Sequence, residues 1–345
     1  MTIFGIESLV YGVSDVAESA RFFDDFGLVR DADDTPGGAY PRVACFTLPE
    51  GSRVIIRHRD DPVLPPTMMV GDGVREIVWG CRNAAERDAL TRSLAIDRAV
   101  VADADGTTHF FADFGIAMAL RAFVPWNVIS APDPLNSPGR INRLNQHRKW
   151  RLRARPKVIA HVVFAVPGYE ASAAFMRDRL GFRLSDSQRG FGKYLRAPGS
   201  TQHHNLLLLN ANAPVPDMDG KLKFHHANFG VEDIDEIMVG ANYMTRKGWD
   251  ASHLGLGRHR IDSALFYYIP CPAGGEAEYG ADGDAVDDAW VPRNWINPLF
   301  GYAHFVSNLP PFLRDEPSWQ FEYITEGDGP LDAEMPVAAT QETHA

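Results

Sequence analysis

Two histidines and a pair of carboxylates stand where they could hold one metal ion. His161 opens the apolar run HVVFAV, and His226 opens the similar run HANFGV. Side chains alternate along a strand, so the same position in two related strands faces the same side. Two such strands packed about a pseudo-twofold would aim both imidazoles into one cavity. A third ligand is offered by the run PAGGEAEYG, where Glu276 and Glu278 lie two apart and so share a strand face. A carboxylate beside Tyr, Ala and Gly is costly to bury unless it is paired or binds a metal. Two His and one carboxylate leave the opposite face of an octahedron open, which is the ligand pattern of non-haem Fe(II) oxygenases.

The elements that must position these residues repeat. Ser8-Leu-Val-Tyr-Gly-Val13 leads through an amphipathic stretch to Gly27, and His161-Val-Val-Phe-Ala-Val166 leads through a similar one to Gly181. Each reads as a strand, then a helix closed by a glycine that can take positive φ. Glu76-Ile-Val-Trp-Gly-Cys81 and His226-Ala-Asn-Phe-Gly-Val231 open two more such units, and β-rich runs bounded by Gly, Pro and Asp follow each helix. The expected fold is α+β: four βαβββ modules paired into two domains, each a curved mixed sheet, barrel-like around a cavity. The four equivalent strand-opening positions carry Ser8, Glu76, His161 and His226, so only the C-terminal pair offers histidines.

The composition fits this reading. The chain has 345 residues, 45% hydrophobic and 23% charged, enough for about two domains with real cores. A net charge of −11 repels phosphate backbones, so nucleic acid is not expected as a partner. No window approaches the uninterrupted apolar length of a membrane span. The opening MTIFGIESLVYGVSD has no basic region ahead of an apolar stretch, and Cys45, Cys81 and Cys271 form no CxxC, which together read as a cytoplasmic protein. Residues 140–157, RINRLNQHRKWRLRARPK, are basic and follow the Pro-rich SAPDPLNSPG; they read as an interdomain linker packing on acidic surface.

The segment GRHRIDSALFYYIPCPAGGEAEYG, residues 257–280, resembles the signature of the extradiol ring-cleaving dioxygenases of the vicinal oxygen chelate superfamily. Together with the repeats, the likeness covers about residues 5 to 285 and matches the two-domain form in which only the C-terminal domain keeps the metal. It implies His161, His226 and Glu278 as ligands of Fe(II), with Mn(II) able to substitute. His225, beside His226, is then a structural or rim residue, and Glu276 faces elsewhere. The resemblance also implies His204 as the acid-base residue, with His259 and Tyr268 flanking a bound catechol. His203 is expected to point outward, and Asp262 to orient His259. Tyr267 and Cys271 depart from the family's usual residues at positions that touch no ligand.

The implied activity is O2-dependent cleavage of a substituted catechol beside its diol, by an enzyme that is a homo-oligomer with no nucleic-acid or membrane partner. The alternatives are hydroquinone cleavage, a glyoxalase-like isomerisation, for which Glu76 would have to supply a fourth ligand, or a metal-free protein that binds aromatic ligands. The expected layout is an N-terminal domain over 1–127 without metal, a linker over 128–157, a catalytic domain over 158–285, an arm over 286–325 and a tail of disordered composition over 326–345. The arm's aromatic and Pro-rich sequence either covers the pocket mouth or simply packs. Phe191, Tyr194, Trp249, His253 and Leu254 are candidates to face the pocket.

Overall fold

A computed structural model describes residues 3–31, 43–214, 218–315 and 317–324, so the tail beyond residue 325 lies outside the described residues. The first half runs β1 (Ile3–Val13), α1 (Val16–Phe26), β2 (Ala44–Thr47), β3 (Arg53–His58), β4 (Gly73–Cys81), α2 (Ala84–Leu94), β5 (Val101–Ala102), β6 (Thr108–Phe111) and β7 (Ala117–Ala122). The second runs β8 (Val158–Val166), α3 (Tyr169–Leu180), β9 (Arg183–Gln188), β10 (Gly192–Arg196), β11 (Leu206–Asn210), β12 (Lys223–Gly230), α4 (Ile234–Arg246), β13 (Gly257–Arg258), β14 (Leu265–Pro270) and β15 (Glu276–Ala281). A terminal stretch adds β16 (Arg293–Trp295), α5 (Pro298–Tyr302), β17 (Phe305–Val306) and β18 (Phe321–Tyr323).

Four βα starts are present, as the repeats require. Three of the helices begin at a side-chain cap, Asp15, Asn83 or Asp233, each accepting from the backbone N–H three residues on. Gly27 and Gly181 close α1 and α3 at φ of 115° and 75°, the left-handed conformation that favours glycine. Each module's last strand returns parallel beside its first: β3 on β1, β7 on β4, β11 on β8 and β15 on β12. The two opening strands of each half pair antiparallel, β1 with β4 and β8 with β12. The first module shows two strands rather than three after its helix among the described residues.

The strands form two sheets, seven-stranded over 3–122 and eleven-stranded over 158–323. One continuous apolar core joins them. The Phe26 ring at the end of α1 stacks on Tyr279 of β15 at 4.0 Å, and Trp79 meets Phe182 at 4.9 Å. Tyr279 also donates its hydroxyl to the Phe26 carbonyl at 2.6 Å. The basic connection packs on the acidic start of α4: Arg148 pairs with Asp235, Lys149 with Glu232, and Arg151 with Glu232 and Asp233. No helix among the described residues is long and apolar enough to cross a membrane.

Candidate metal centre and active site

Strand register assembles the site. His161 on β8 lies opposite Asn228 on β12, Asn228 opposite Glu278 on β15, and Glu278 opposite Tyr268 on β14. Paired residues face the same side, so these four side chains form one row across four strands, and His226, two residues before Asn228, joins them. The Nε2 atoms of His161 and His226 are 3.3 Å apart, and each is 3.3 Å from Glu278 Oε2. All three residues are buried. Gly280 leaves room for this row, because a Cβ there would lie 2.3 Å from the Asn228 amide nitrogen.

The donor set fits a divalent cation. A triangle with 3.3 Å edges is the face of an octahedron whose centre lies about 2.3 Å from each corner, close to ordinary metal–ligand distances. Glu278 Oε2 is buried and makes no hydrogen bond, an arrangement that a bound cation would satisfy. Burial pushes the Glu278 carboxyl up, but its contacts with His161 and His226 outweigh this and hold it well below the usual carboxylate range. His226 is oriented from behind, its Nδ1 lying 2.7 Å from Nδ1 of His225. Burial, and secondarily His226, push the His225 imidazole down to about 3. A neutral His225 can accept from His226 Nδ1–H, leaving Nε2 bare for a metal. His225 can do this because the β8–β12 register shifts between Phe224 and His226, a bulge that relaxes strict alternation.

Register also explains why the described residues of the first half hold no such triad. Ser8, Glu76 and Ala119 occupy the positions of His161, His226 and Glu278. The space between them is filled by Val10, Val78 and Ala119, with Ile55 and Leu64 against them. Glu76 is taken by His109 at 2.8 Å.

Around the triad, the His204 ring stacks on His161 at 4.1 Å and meets Tyr194 edge-on at 4.9 Å. Burial, and secondarily the neighbouring imidazoles, hold His204 far below its ordinary range. Tyr268 lies against His226, with ring centroids 5.0 Å apart, and its hydroxyl is 3.2 Å from His259 Nε2. Burial and the Glu278 charge keep the Tyr268 phenol protonated. Tyr302 presents its carbonyl to His259 Nδ1, so that nitrogen carries the hydrogen and Nε2 accepts from Tyr268.

Two expectations are corrected here. Asp262 does not orient His259, whose Nδ1 is held by Tyr302; its Oδ2 lies 3.8 Å from His204 Nδ1 instead. His203 does not point outward. It is 3% exposed, with Nδ1 3.2 Å from His204 Nδ1 and Nε2 3.3 Å from Asp186. Residues 203 and 204 precede β11 in irregular backbone, where strand alternation does not apply. Asp186, missed from the sequence, is a fully buried carboxylate whose partners come from the terminal stretch 107 and 109 residues away.

Beyond His161 on β8, Val163 and Ala165 continue an apolar wall with Tyr194, Leu207, Leu209, Ile261, Trp295 and Phe300, and Phe191 packs on its edge. On the other side of the row lies a polar cavity of about 290 Å³, reached by His161, His203, His204, Asn228 and Asp262 and rimmed by Asp282 and Asp284. Of the other pocket candidates, Leu254 packs on Phe266 and Tyr268, while the exposed His253 faces Glu276 at 3.6 Å. Trp249 is elsewhere: its Nε1 bonds Asp25 at 3.1 Å and its ring meets Phe22, so it fastens α1 to the second half. The terminal stretch does more than pack, since it supplies Trp295, Phe300 and the Tyr302 carbonyl to the site's surroundings.

Paired βαβββ modules, with a facial metal-type triad in one pair and an apolar filling in the other, are the arrangement that the resemblance to the vicinal oxygen chelate superfamily implies. Residues 158–264 match the family model described as Glyoxalase/Bleomycin resistance protein/Dioxygenase superfamily. The chain is 34% identical over 140 residues to metapyrocatechase 2 of Cupriavidus necator, covering 40% of this chain and 41% of the relative. It is 34% identical over 166 residues to an iron-dependent extradiol dioxygenase of Rhodococcus jostii, covering 44% of this chain and 53% of the relative. The matched stretch is thus about half the length of these curated relatives or less. The crystal structure of BphC, a halotolerant catechol dioxygenase, superposes with a TM-score of 0.66 at 18% identity, covering 94% of this chain and 99% of that one. Residues 158–264 are thus similar to the glyoxalase/dioxygenase superfamily, and the chain as a whole shares the fold of that catechol dioxygenase structure.

Proposed function

We propose that the protein is an Fe(II)-dependent extradiol dioxygenase that cleaves a substituted catechol beside its diol. The observation that carries this reading is the buried triangle of His161, His226 and Glu278 with His204 on one flank and the His259–Tyr268 pair on the other. In this reading His161, His226 and Glu278 hold the metal, and Mn(II) satisfies the same ligands. When bound, the metal supplies a site at which both diol oxygens and O2 can be brought together.

The chain's own residues do the rest. His204, with Nδ1 engaged by His203, offers Nε2 to accept a hydroxyl proton and to return it later. Tyr268 shares its hydroxyl with His259 and can turn that hydrogen toward a substrate oxygen on which charge develops. Val163, Leu207, Leu209, Ile261 and Phe300 hold an aromatic ring and exclude water. Tyr194 contributes its ring rather than its hydroxyl, which is spent on Gln188 at 2.8 Å. An apolar wall of this kind favours catechols with alkyl or aryl substituents.

The test is anaerobic loading with Fe(II), followed by oxygen uptake and visible absorbance with catechol, 3-methylcatechol, 2,3-dihydroxybiphenyl and, as control, hydroquinone. A yellow product from a catechol, absent in His161→Ala, is expected. Stoichiometric metal binding without oxygen uptake on any diol would overturn the reading.

A further inference from the structure

Asp186, on β9, is a carboxylate near the site with no exposed surface that does not touch the metal triad. Its donors come from the terminal stretch. β16 lies parallel to β9 with Arg293 opposite Asp186, so the Arg293 backbone N–H reaches Oδ1 at 2.7 Å. The Arg293 guanidinium donates to Oδ2 through Nη2 at 2.7 Å and Nε at 3.1 Å. Trp295 Nε1 adds a bond at 3.0 Å, and the rings of Trp290 and Trp295 flank the guanidinium at 4.7 and 4.8 Å. His203 Nε2, at 3.3 Å from Oδ2, completes the shell.

A carboxylate so crowded with donors has no place for a hydrogen of its own, so the hydrogen between it and His203 resides on His203 Nε2. In a neutral imidazole the other nitrogen is then bare. His203 Nδ1 accepts, and its neighbour at 3.2 Å is His204 Nδ1, which must carry a hydrogen. The Asp262 carboxylate, 3.8 Å from the same nitrogen, is beyond hydrogen-bond reach and already takes the Ala264 amide at 3.1 Å.

We propose that Arg293, through Asp186 and His203, is a positioning residue that fixes His204 in the tautomer with hydrogen on Nδ1 and a bare Nε2. The relay rests on the reading of His204 as the proton acceptor of the proposed reaction. Arg293 is needed because it offsets the Asp186 charge. Without it, a fully buried anion would stand 3.3 Å from His203 and draw a second proton onto that ring. His203 Nδ1 would then donate instead of accept, the hydrogen of His204 would move to Nε2, and the base would be lost.

The experiment reads tautomers directly, by long-range proton–nitrogen NMR correlations of histidine-labelled protein loaded with Zn(II), which is diamagnetic. Assignment of His203 and His204 uses single-histidine replacements. In the unaltered protein, His204 should show a pyrrole-type Nδ1 and a pyridine-type Nε2; the opposite pattern overturns the proposal without any variant. Arg293→Met should invert the His204 pattern, and Asp186→Asn combined with Arg293→Met should restore it, because both charges are then gone. An Arg293→Met protein with native near-ultraviolet dichroism and an unchanged pattern would also overturn the relay. With turnover on a catechol, Arg293→Met should lower kcat by roughly 100-fold or more while KM stays within about twofold. The NMR arm needs no turnover, so failure of the dioxygenase reading and failure of the relay remain separable.

Discussion

Replacing Glu278 with Gln should remove most of the metal-linked stabilisation and, because His161 and His226 favour the charged carboxylate, should also lower the stability of the metal-free protein near neutral pH. In the unaltered chain, Oε2 is buried without a hydrogen bond and forms one corner of the 3.3 Å triangle. A ligand present at 1,000 times its Kd stabilises the state that binds it by about 4.1 kcal/mol. Unfolding entropy is about 2.1 cal/mol/K per residue, so if all 345 residues unfold together the melting temperature rises by roughly 6 °C. The continuous core that joins the halves favours that single-unit value over the roughly twofold larger shift of an isolated second half. Gln keeps the size but loses the charge, leaving two imidazoles. Its metal-induced shift should fall below about 2 °C. Differential scanning calorimetry with and without Mn(II), at matched free metal, makes the measurement. An E278Q shift equal to that of the unaltered protein would refute the assignment of Glu278 to the metal.

Two further outcomes concern the joint between the halves. Burial pushes Glu50 up to about 7, although Ser52 at 2.7 Å and the Ile159 N–H at 2.9 Å donate to it. Because this folded-state value lies above the unfolded one, its stabilising contribution is present below about pH 4.5 and is lost as pH rises through about 7. Urea midpoints should therefore fall between pH 5 and pH 8 and flatten in Glu50→Gln; an identical slope in that variant would exclude Glu50 as the cause. Tyr279→Phe keeps the 4.0 Å stack on Phe26 but orphans the Phe26 carbonyl, so it should cost about 1–3 kcal/mol in urea unfolding. An unchanged midpoint would mean the hydroxyl contributes nothing across the joint.

What was legible in the sequence was whatever repeats. His161 and His226 open equivalent strands, so periodicity marks the histidine pair, whereas the choice of Glu278 over Glu276 on the same strand face came from the resemblance of residues 257–280 to the extradiol signature. His225 was harder, because a one-residue bulge is invisible to an alternation rule and lets neighbours touch through their Nδ1 atoms. His203 was misread for a related reason: the rule of alternating faces was applied to residues that precede the strand. Asp186 and Arg293 were unreadable as a pair, since their contact depends on a two-stranded addition at the sheet edge, across 107 residues of chain. Trp249 looked like a pocket aromatic by composition, yet the choice between pocket and joint is made by where α1 packs.

The terminal stretch joins the second sheet at opposite borders. β16 pairs with β9 near one end of the strand order, whereas β17, only ten residues further on, pairs with β13 at the other. A segment that short, part of it helical, reaches both borders only if the sheet has curled until they almost meet. The stretch thus works as a drawstring, stitching an open trough into a closed vessel. Both borders would otherwise present unpaired backbone to other chains. During synthesis the trough is complete before its closure exists, so the vessel is shut by a segment made after the walls it draws together.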